Sequence, residues 1–436
     1  MLLKIKRSGI NGEGIGYKKG KPIFVMGAFP EELIEYEMME ENEKYGIGQL
    51  EKVIEPSPRR RHPICKNHEQ CGGCSLIAYD YKGQVRMKEM LLKEALKKYA
   101  HYSGKILPMI KNPNVLGYRN ALKLPLSMVD GKIEAGMFAR NSNEFVKLER
   151  CIVHSKLLEK VRQEVIIALQ QNEIQAYNKS KINGFKMLVM KEFKEKVQVI
   201  FITCPMEIPQ KLIDEIMSIE GVVSLYQNIK MDDEKDHELF GTKMIHLSGL
   251  AKMEVEINGL KLLLLPRSFF QLNTAQASNL YEVVKSWTPH SDRIVEAYAG
   301  IGAMSLLVSE KAKEVIGIES IQDAVNNAQE NAKINGIKNA RFICGDAGVE
   351  LNKLDQQERV DTLIVDPPRS GLDPLMRQAI KDSKIKTILY VSCNPSTLGK
   401  DLFALSEYAI EKVQPIDMFS QTPHVETVCL MSRKEK

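Results

Sequence analysis

The chain has 436 residues, 44% hydrophobic and 27% charged, with a net charge of +5, which excludes wholesale disorder, a collagen-like fibre and a small disulfide scaffold. Its length fits two or three domains. No apolar run approaches the roughly 20 residues that span a bilayer, and the start, Met1-Leu2-Leu3-Lys4-Ile5-Lys6-Arg7, turns polar before a signal-peptide core forms. The expected location is therefore the cytoplasm, where cysteines stay reduced.

Residues 1–55 read as short strands between turns. Gly12, Gly14 and Gly16 punctuate the start, 21–27 is a strand candidate, and a strand resumes at Tyr45 after an acidic stretch. A small oligonucleotide-binding type of β-barrel fits this pattern. Pro56-Ser57-Pro58 and Arg59-Arg60-Arg61 read as a linker. Cys65, Cys71 and Cys74 follow, and a fourth cysteine, Cys151, comes later. Gly72 and Gly73 permit the tight turn that aims two thiolates at one centre, a metal signature in a reducing compartment. Zinc and an iron–sulfur cluster both remain open on spacing alone. Residues 56–119 carry 13 Lys and Arg against 4 Asp and Glu, so a +9 segment surrounds the cysteines. Phosphate neutralisation makes nucleic acid a natural partner. Part of this charge is the wet side of a helix at 84–99, where Val85, Met87, Leu91 and Ala95 recur at helical spacing.

From 105 to 265 the pattern is mixed, with hairpins at Asp130-Gly131 and Asn258-Gly259 and an expected antiparallel sheet. After 290, strand candidates at 293–297, 314–318, 341–344, 361–365, 387–391 and 427–431 alternate with helices, notably 321–335. That rhythm predicts a Rossmann-like, mostly parallel α/β sheet.

The first of these strands runs through Tyr298-Ala299-Gly300-Ile301-Gly302 into a helix. A dinucleotide fingerprint needs a third glycine where Ser305 stands, so a dinucleotide fits poorly. Glu319 ends the second strand, placed to accept from ribose hydroxyls, and Asp346 follows the third, near an adenine amine. An adenosine cofactor without phosphate, S-adenosylmethionine, fits. Asp366-Pro367-Pro368-Arg369 and Ser392-Cys393-Asn394-Pro395 each place a reactive group at a strand's carboxyl end, where open α/β sheets bind ligands. Cys393 there is a candidate nucleophile, and Glu426, just before the last strand, a candidate base. Cys204, Cys344 and Cys429 read as small buried hydrophobes.

Six blocks together resemble the RNA uracil carbon-5 methyltransferases, the iron–sulfur ribosomal-RNA enzymes and their transfer-RNA relatives. They are the four spaced cysteines, Ser268-Phe269-Phe270-Gln271-Leu272-Asn273, the glycine turn, Asp366-Pro367-Pro368-Arg369-Ser370-Gly371, Ser392-Cys393-Asn394-Pro395 and His424-Val425-Glu426-Thr427. The resemblance implies an RNA-binding TRAM barrel at 1–55, an iron–sulfur α+β segment at 56–265 and a methyltransferase domain at 266–436. Part of 77–110 is expected to pack with that last domain. It further implies a [4Fe–4S] cluster on Cys65, Cys71, Cys74 and Cys151. Cofactor contacts would come from Gln271, Tyr298, Gly300, Gly302, Glu319, Asp346 and Asp366. Cys393 would attack carbon 6 of a uridine, with Glu426 as base and Asp366 orienting the reactants. A monomer acting on 23S ribosomal RNA is expected. Transfer RNA and a non-catalytic RNA-binding assembly role are the alternatives. The family's asparagine after the glycine turn is Ala303 here.

Overall fold

The computed structural model describes residues 1–140, 142–180, 182–231 and 238–435. Five strands, β1 (Leu2–Ser8), β2 (Gly14–Lys18), β3 (Lys21–Val25), β4 (Leu33–Glu41) and β5 (Gly46–Glu55), close a barrel in the order β1-β2-β3-β5-β4. Period-two alternation builds it: Leu3, Ile5, Ile23, Val25, Ile34 and Tyr36 point inward and make its core. Helix α1 (Tyr81–Tyr99) follows, capped by the Asp80 carboxylate, which accepts from the Gly83 N–H at 2.6 Å.

The middle sheet comprises β6 (Ala121–Val129), β7 (Lys132–Phe138), β8 (Phe145–Lys147), β9 (Phe185–Phe193), β10 (Lys196–Thr203), β11 (Val222–Ile229) and β12 (Lys243–Gly249). Their order is β12-β11-β10-β9-β6-β7-β8, and α2 (Lys156–Gln171) and α3 (Gln210–Ser218) bury their apolar faces on it. The expected antiparallel pattern fails at one pair. Because α3 links β10 to β11 as a crossover, those two strands run parallel. Both sequence-read hairpins form, with Asp130-Gly131 and Asn258-Gly259 all at positive φ. The second hairpin, β13 (Met253–Ile257) and β14 (Leu260–Leu264), falls in the middle segment by sequence. Its Val255, Leu262 and Leu264 nonetheless share a core with Ile294, Val315 and Ile364 of the C-terminal sheet.

That sheet is built from β15 (Ser291–Ala297), β16 (Ala312–Glu319), β17 (Ala340–Cys344), β18 (Thr362–Val365), β19 (Thr387–Ser392), β20 (Tyr408–Ile416) and β21 (Glu426–Arg433). Helices α4 (Thr274–Trp287), α5 (Ala303–Leu307), α6 (Gln322–Ile334), α7 (Ala347–Gln357), α8 (Pro374–Asp382) and α9 (Pro395–Ala404) cover it. The order β17-β16-β15-β18-β19-β21-β20 makes five parallel strands, then β21 reversed against β19, then β20 antiparallel to β21 and so in the direction of the first five. Strand β20 escapes the sequence reading because a bulge between Ile410 and Lys412 breaks its alternation and Pro415 lies within it; proline is tolerated there on an edge strand. Leu92 and Leu96 of α1 pack into the same core as Leu398, Leu402 and Tyr390. Among the described residues no helix is long and apolar enough to cross a membrane.

Candidate active site

The strand order reverses between β15 and β18, which opens a crevice at the carboxyl edge of the sheet. Register then decides which side chains meet there. In the β19–β21 ladder Ser392 faces Thr427, and one step further Cys393 stands opposite Glu426. Asp366 follows β18, whose Val365 pairs with Tyr390 of β19, so it reaches the same edge. Burial pushes Asp366 up to about 7. Burial, then the nearby Asp366, pushes Glu426 up to about 8. Burial, then Glu426 and Asp366, holds the Cys393 thiol at about 11, against the pull of Arg369. Neither carboxylate accepts a hydrogen bond or meets a cation among the described residues. Glu426 is buried and Asp366 half-buried at this edge. His424, two residues before Glu426, is held at about 4 by burial, then by Arg369, Lys88 and Arg119, and stays neutral.

The cofactor candidates cluster around the β15 turn. Tyr298 takes φ +64°, rare for an aromatic residue, and its hydroxyl donates to Asp373 at 3.1 Å. Gly300 and Gly302 have φ +54° and +81°. A Cβ on Gly302 would lie 2.6 Å from the Phe342 ring, whereas one on Gly300 would meet nothing within 4 Å, so Gly300 faces open space. The Glu319 carboxylate accepts from the Gly300 N–H at 2.9 Å and the Ile321 N–H at 3.0 Å, which fixes the acid beside the turn. Asp346 caps α7 through one oxygen, accepting from the Val349 N–H at 3.0 Å. Cys344, expected to be buried, is exposed: it ends β17, an edge strand of the sheet. Cys204 and Cys429 are buried as expected.

Gln271 lies on a loop that the middle sheet holds in place. Asn120 Nδ2 donates to the Gln271 carbonyl at 3.0 Å and to Thr274 Oγ1 at 2.8 Å. Lys191 on β9 is buried and donates to the carbonyls of Pro266 at 2.7 Å and Ser268 at 2.8 Å. Burial, then Lys123, lowers its pKa to about 7. Nothing in sequence marks this lysine. Between the clamps along the chain Phe269 stands 70% exposed.

The four candidate ligands, Cys65, Cys71, Cys74 and Cys151, lie within electrostatic range of one another. Burial, then mainly Cys151, raises Cys74 to about 12. Cys65 and Cys71 are raised for the same leading reason, with Cys151 contributing to both. Cys151 itself is lowered: burial opposes its ionisation, but His154 donates to it and outweighs burial. The His154 ring is in turn 3.1 Å from the Glu159 carboxylate. Arg140 and Arg119 lie near these thiols. Among the described residues no group of three or more His, Cys, Asp or Glu side chains is placed to hold a metal ion.

The basic segment is partly neutralised from within. Arg59 and Arg61 pair with Asp80, Arg60 with Glu32, and Lys88 is fully buried against Asp417 at 2.5 Å. Lys82, Arg86, Lys93, Lys97 and Lys98 make no ion pair among the described residues. A cleft of about 410 Å³ opens beside Cys393. It is walled by residues 394–396 and His424, by Lys98 and Tyr99 of α1, and by residues 7–11 of the barrel.

Known proteins place this geometry. The tRNA (uracil-5-)-methyltransferase family profile matches residues 80–434. An uncharacterized RNA methyltransferase of Lactobacillus johnsonii is 36% identical, covering 100% of this chain and 97% of its own. One from Bacillus cereus is 33% identical, covering 98% and 95%. The crystal structure of the Pyrococcus abyssi tRNA (uracil-54, C5)-methyltransferase in complex with S-adenosyl-L-homocysteine superposes with a TM-score of 0.79 at 26% identity, covering 99% of this chain and 100% of that one. With its reactive edge, its glycine turn and these relatives, the chain belongs to the tRNA (uracil-5-)-methyltransferase family of S-adenosylmethionine-dependent RNA methyltransferases.

Proposed function

We propose that the chain methylates carbon 5 of a uridine in 23S ribosomal RNA through a covalent adduct with Cys393. The observation that carries this reading is the register that sets Cys393 opposite Glu426, with Asp366 at the same edge and both acids unpaired. Carbon 5 of uracil is a weak nucleophile. Cys393, once its thiol proton has passed to solvent, adds as a thiolate to carbon 6 and places electron density on carbon 5, which then takes up an electrophilic methyl group as that group's carbon–sulfur bond breaks. S-adenosylmethionine supplies that methyl group on a sulfonium. Glu426 takes the proton from carbon 5, and elimination re-forms the uracil double bond and frees Cys393. Asp366 orients the reacting groups. Glu319, Tyr298 and Gly300 form the cofactor cradle with Gln271, Gly302 and Asp346, and the open space over Gly300 fits a ligand there. A target base has to leave any stack to reach Cys393; the exposed Phe269 is suited to receive its face.

The middle thiols support the ribosomal target by resemblance, which also implies a [4Fe–4S] cluster. Cys65, Cys71, Cys74 and Cys151 would hold it, with Arg140 and Arg119 balancing its charge. The barrel of β1–β5 acts as the RNA-binding TRAM module, and the enzyme works as a cytoplasmic monomer.

The likeness to the Pyrococcus abyssi tRNA enzyme favours a second reading, a transfer-RNA target. Mapping 5-methyluridine by mass spectrometry in both RNA classes from a deletion strain decides. Loss in 23S ribosomal RNA is expected. Loss in transfer RNA alone moves the target, and loss in neither overturns the reading.

A further inference from the structure

Helix α9 begins two residues after Cys393 and carries a stripe away from it. Ser396 lines the cleft with Cys393 and Tyr99. Residues 396, 399, 400 and 403 follow at the i+3 and i+4 spacing that shares one helix face. At Gly399 the two helices touch: a Cβ there would lie 2.9 Å from the Tyr99 Cβ and 3.1 Å from the Ala95 carbonyl oxygen. Tyr99 is therefore seated against α9. The ammonium groups of Lys98 and Lys400 lie 4.8 and 5.5 Å from the Tyr99 ring centroid. One turn on, His101 meets Phe403 edge-on at 5.4 Å, and Phe403 is 58% exposed.

Packing does not account for this arrangement. Leu398, Leu402 and Leu405 are the core-facing residues of this stretch, and Phe403 lies outside that face. A lone exposed phenylalanine is ordinary. Here it lies in line with a tyrosine flanked by two cations. The one acid in the cleft wall on this side, Glu94, is taken by Arg7 at 3.3 Å. Aromatic faces interleaved with cations are what a single strand meets in a protein groove. Bases stack on the rings and phosphates meet the charges, without sequence readout.

We propose that the α1–α9 face is a single-stranded RNA track that holds the nucleotides next to the target uridine, with a base on Phe403 and phosphates on Lys98 and Lys400. The proposal rests on the RNA reading above. From Ser396 to Phe403 the helix rises about 10 Å, a span suited to the immediate neighbours of a flipped-out base. The track adds a contact region to the barrel and the reactive edge, and it favours substrates unpaired on one side of the uridine.

The test uses the full chain and a fluorescent single-stranded, uridine-rich 15-nucleotide RNA, beside a duplex of the same length. Phe403→Ala is expected to weaken single-strand binding by about 5- to 100-fold, the range for losing one stacked base. Phe403→Trp should retain binding, which a general packing defect would not allow. Lys400→Glu should flatten the dependence of log K on log salt by about 0.7 or more. Wild-type-like binding and salt slope in Phe403→Ala and Lys400→Glu overturn the track, as does a loss seen with the duplex alone. A wild-type chain that neither binds nor methylates RNA overturns the RNA reading itself.

Discussion

Cys393 and the Cys65–Cys71–Cys74–Cys151 group present the same side chain with different charged neighbours. Cys393 faces two enclosed carboxyls, and both raise its proton affinity. The four middle thiols sit among Arg119, Arg140 and His154, and Cys151 is pulled below the usual thiol range. A thiolate ligand has to be ionised to hold metal; His154 favours that at Cys151, whereas burial raises the other three thiols. A nucleophile that must add and later leave is better kept protonated until its substrate arrives. Neighbouring charge thus separates Cys393 from Cys151. Sequence spacing alone separates the two groups but not their chemistry.

The sharpest way to break the comparison is to remove the nucleophile. Cys393→Ala should lower methylation by more than about 10³-fold while RNA binding stays near wild type; tritium transfer from labelled S-adenosylmethionine and an RNA shift assay read the two. Turnover close to wild type would end the assignment. Glu426→Gln acts one step later. It leaves Cys393 free to add but removes the base that lets it depart. An RNA–protein adduct surviving denaturing electrophoresis should accumulate, and its absence would shift the proton transfer to another group. At the other centre, Cys71→Ser should cut iron and sulfide recovered after anaerobic purification to well below half. Unchanged iron would show that the thiols only pack, and zinc in place of iron would replace the cluster.

How far these roles are legible in sequence depends on how local they are. The candidate residues sit at strand ends within short, glycine- and proline-marked turns, so the placement of Asp366, Cys393, Glu319 and the Gly300–Gly302 turn at the sheet edge can be read from pattern. The parallel pair β10–β11 needed knowledge that α3 crosses back, and β20 was hidden by its bulge and Pro415. Lys191 and Asn120 were invisible for a different reason. Each acts on a loop far along the chain, at Pro266, Ser268 and Gln271, through main-chain carbonyls that carry no residue signature. Lys88 misled in the other direction: it lies on a helix that reads as basic and wet, yet it is buried against Asp417, 329 residues away. Long-range pairing of polar groups is the part of the fold that periodicity does not encode.

The smallest expected effect tests the electrostatics of the reactive edge without relying on turnover. Asp366 is held at about 7, well above an unfolded aspartate. Between those two values the unfolded chain has released a proton that the folded chain retains. Stability therefore falls as pH rises through that window, and the loss is complete once pH passes the folded value. Asp366→Asn removes the titration and keeps a similar shape. At pH 4 the variant and wild type should melt together. By pH 8 the variant should melt higher by a few degrees, although its methylation is impaired. Glu426, raised in the same sense, extends the window toward 8, so a double variant should flatten the profile further. Melting curves that stay parallel from pH 4 to 8 would mean that Asp366 is solvated like a surface acid. The contrast drawn with the cationic thiol centre would then lose one of its two halves.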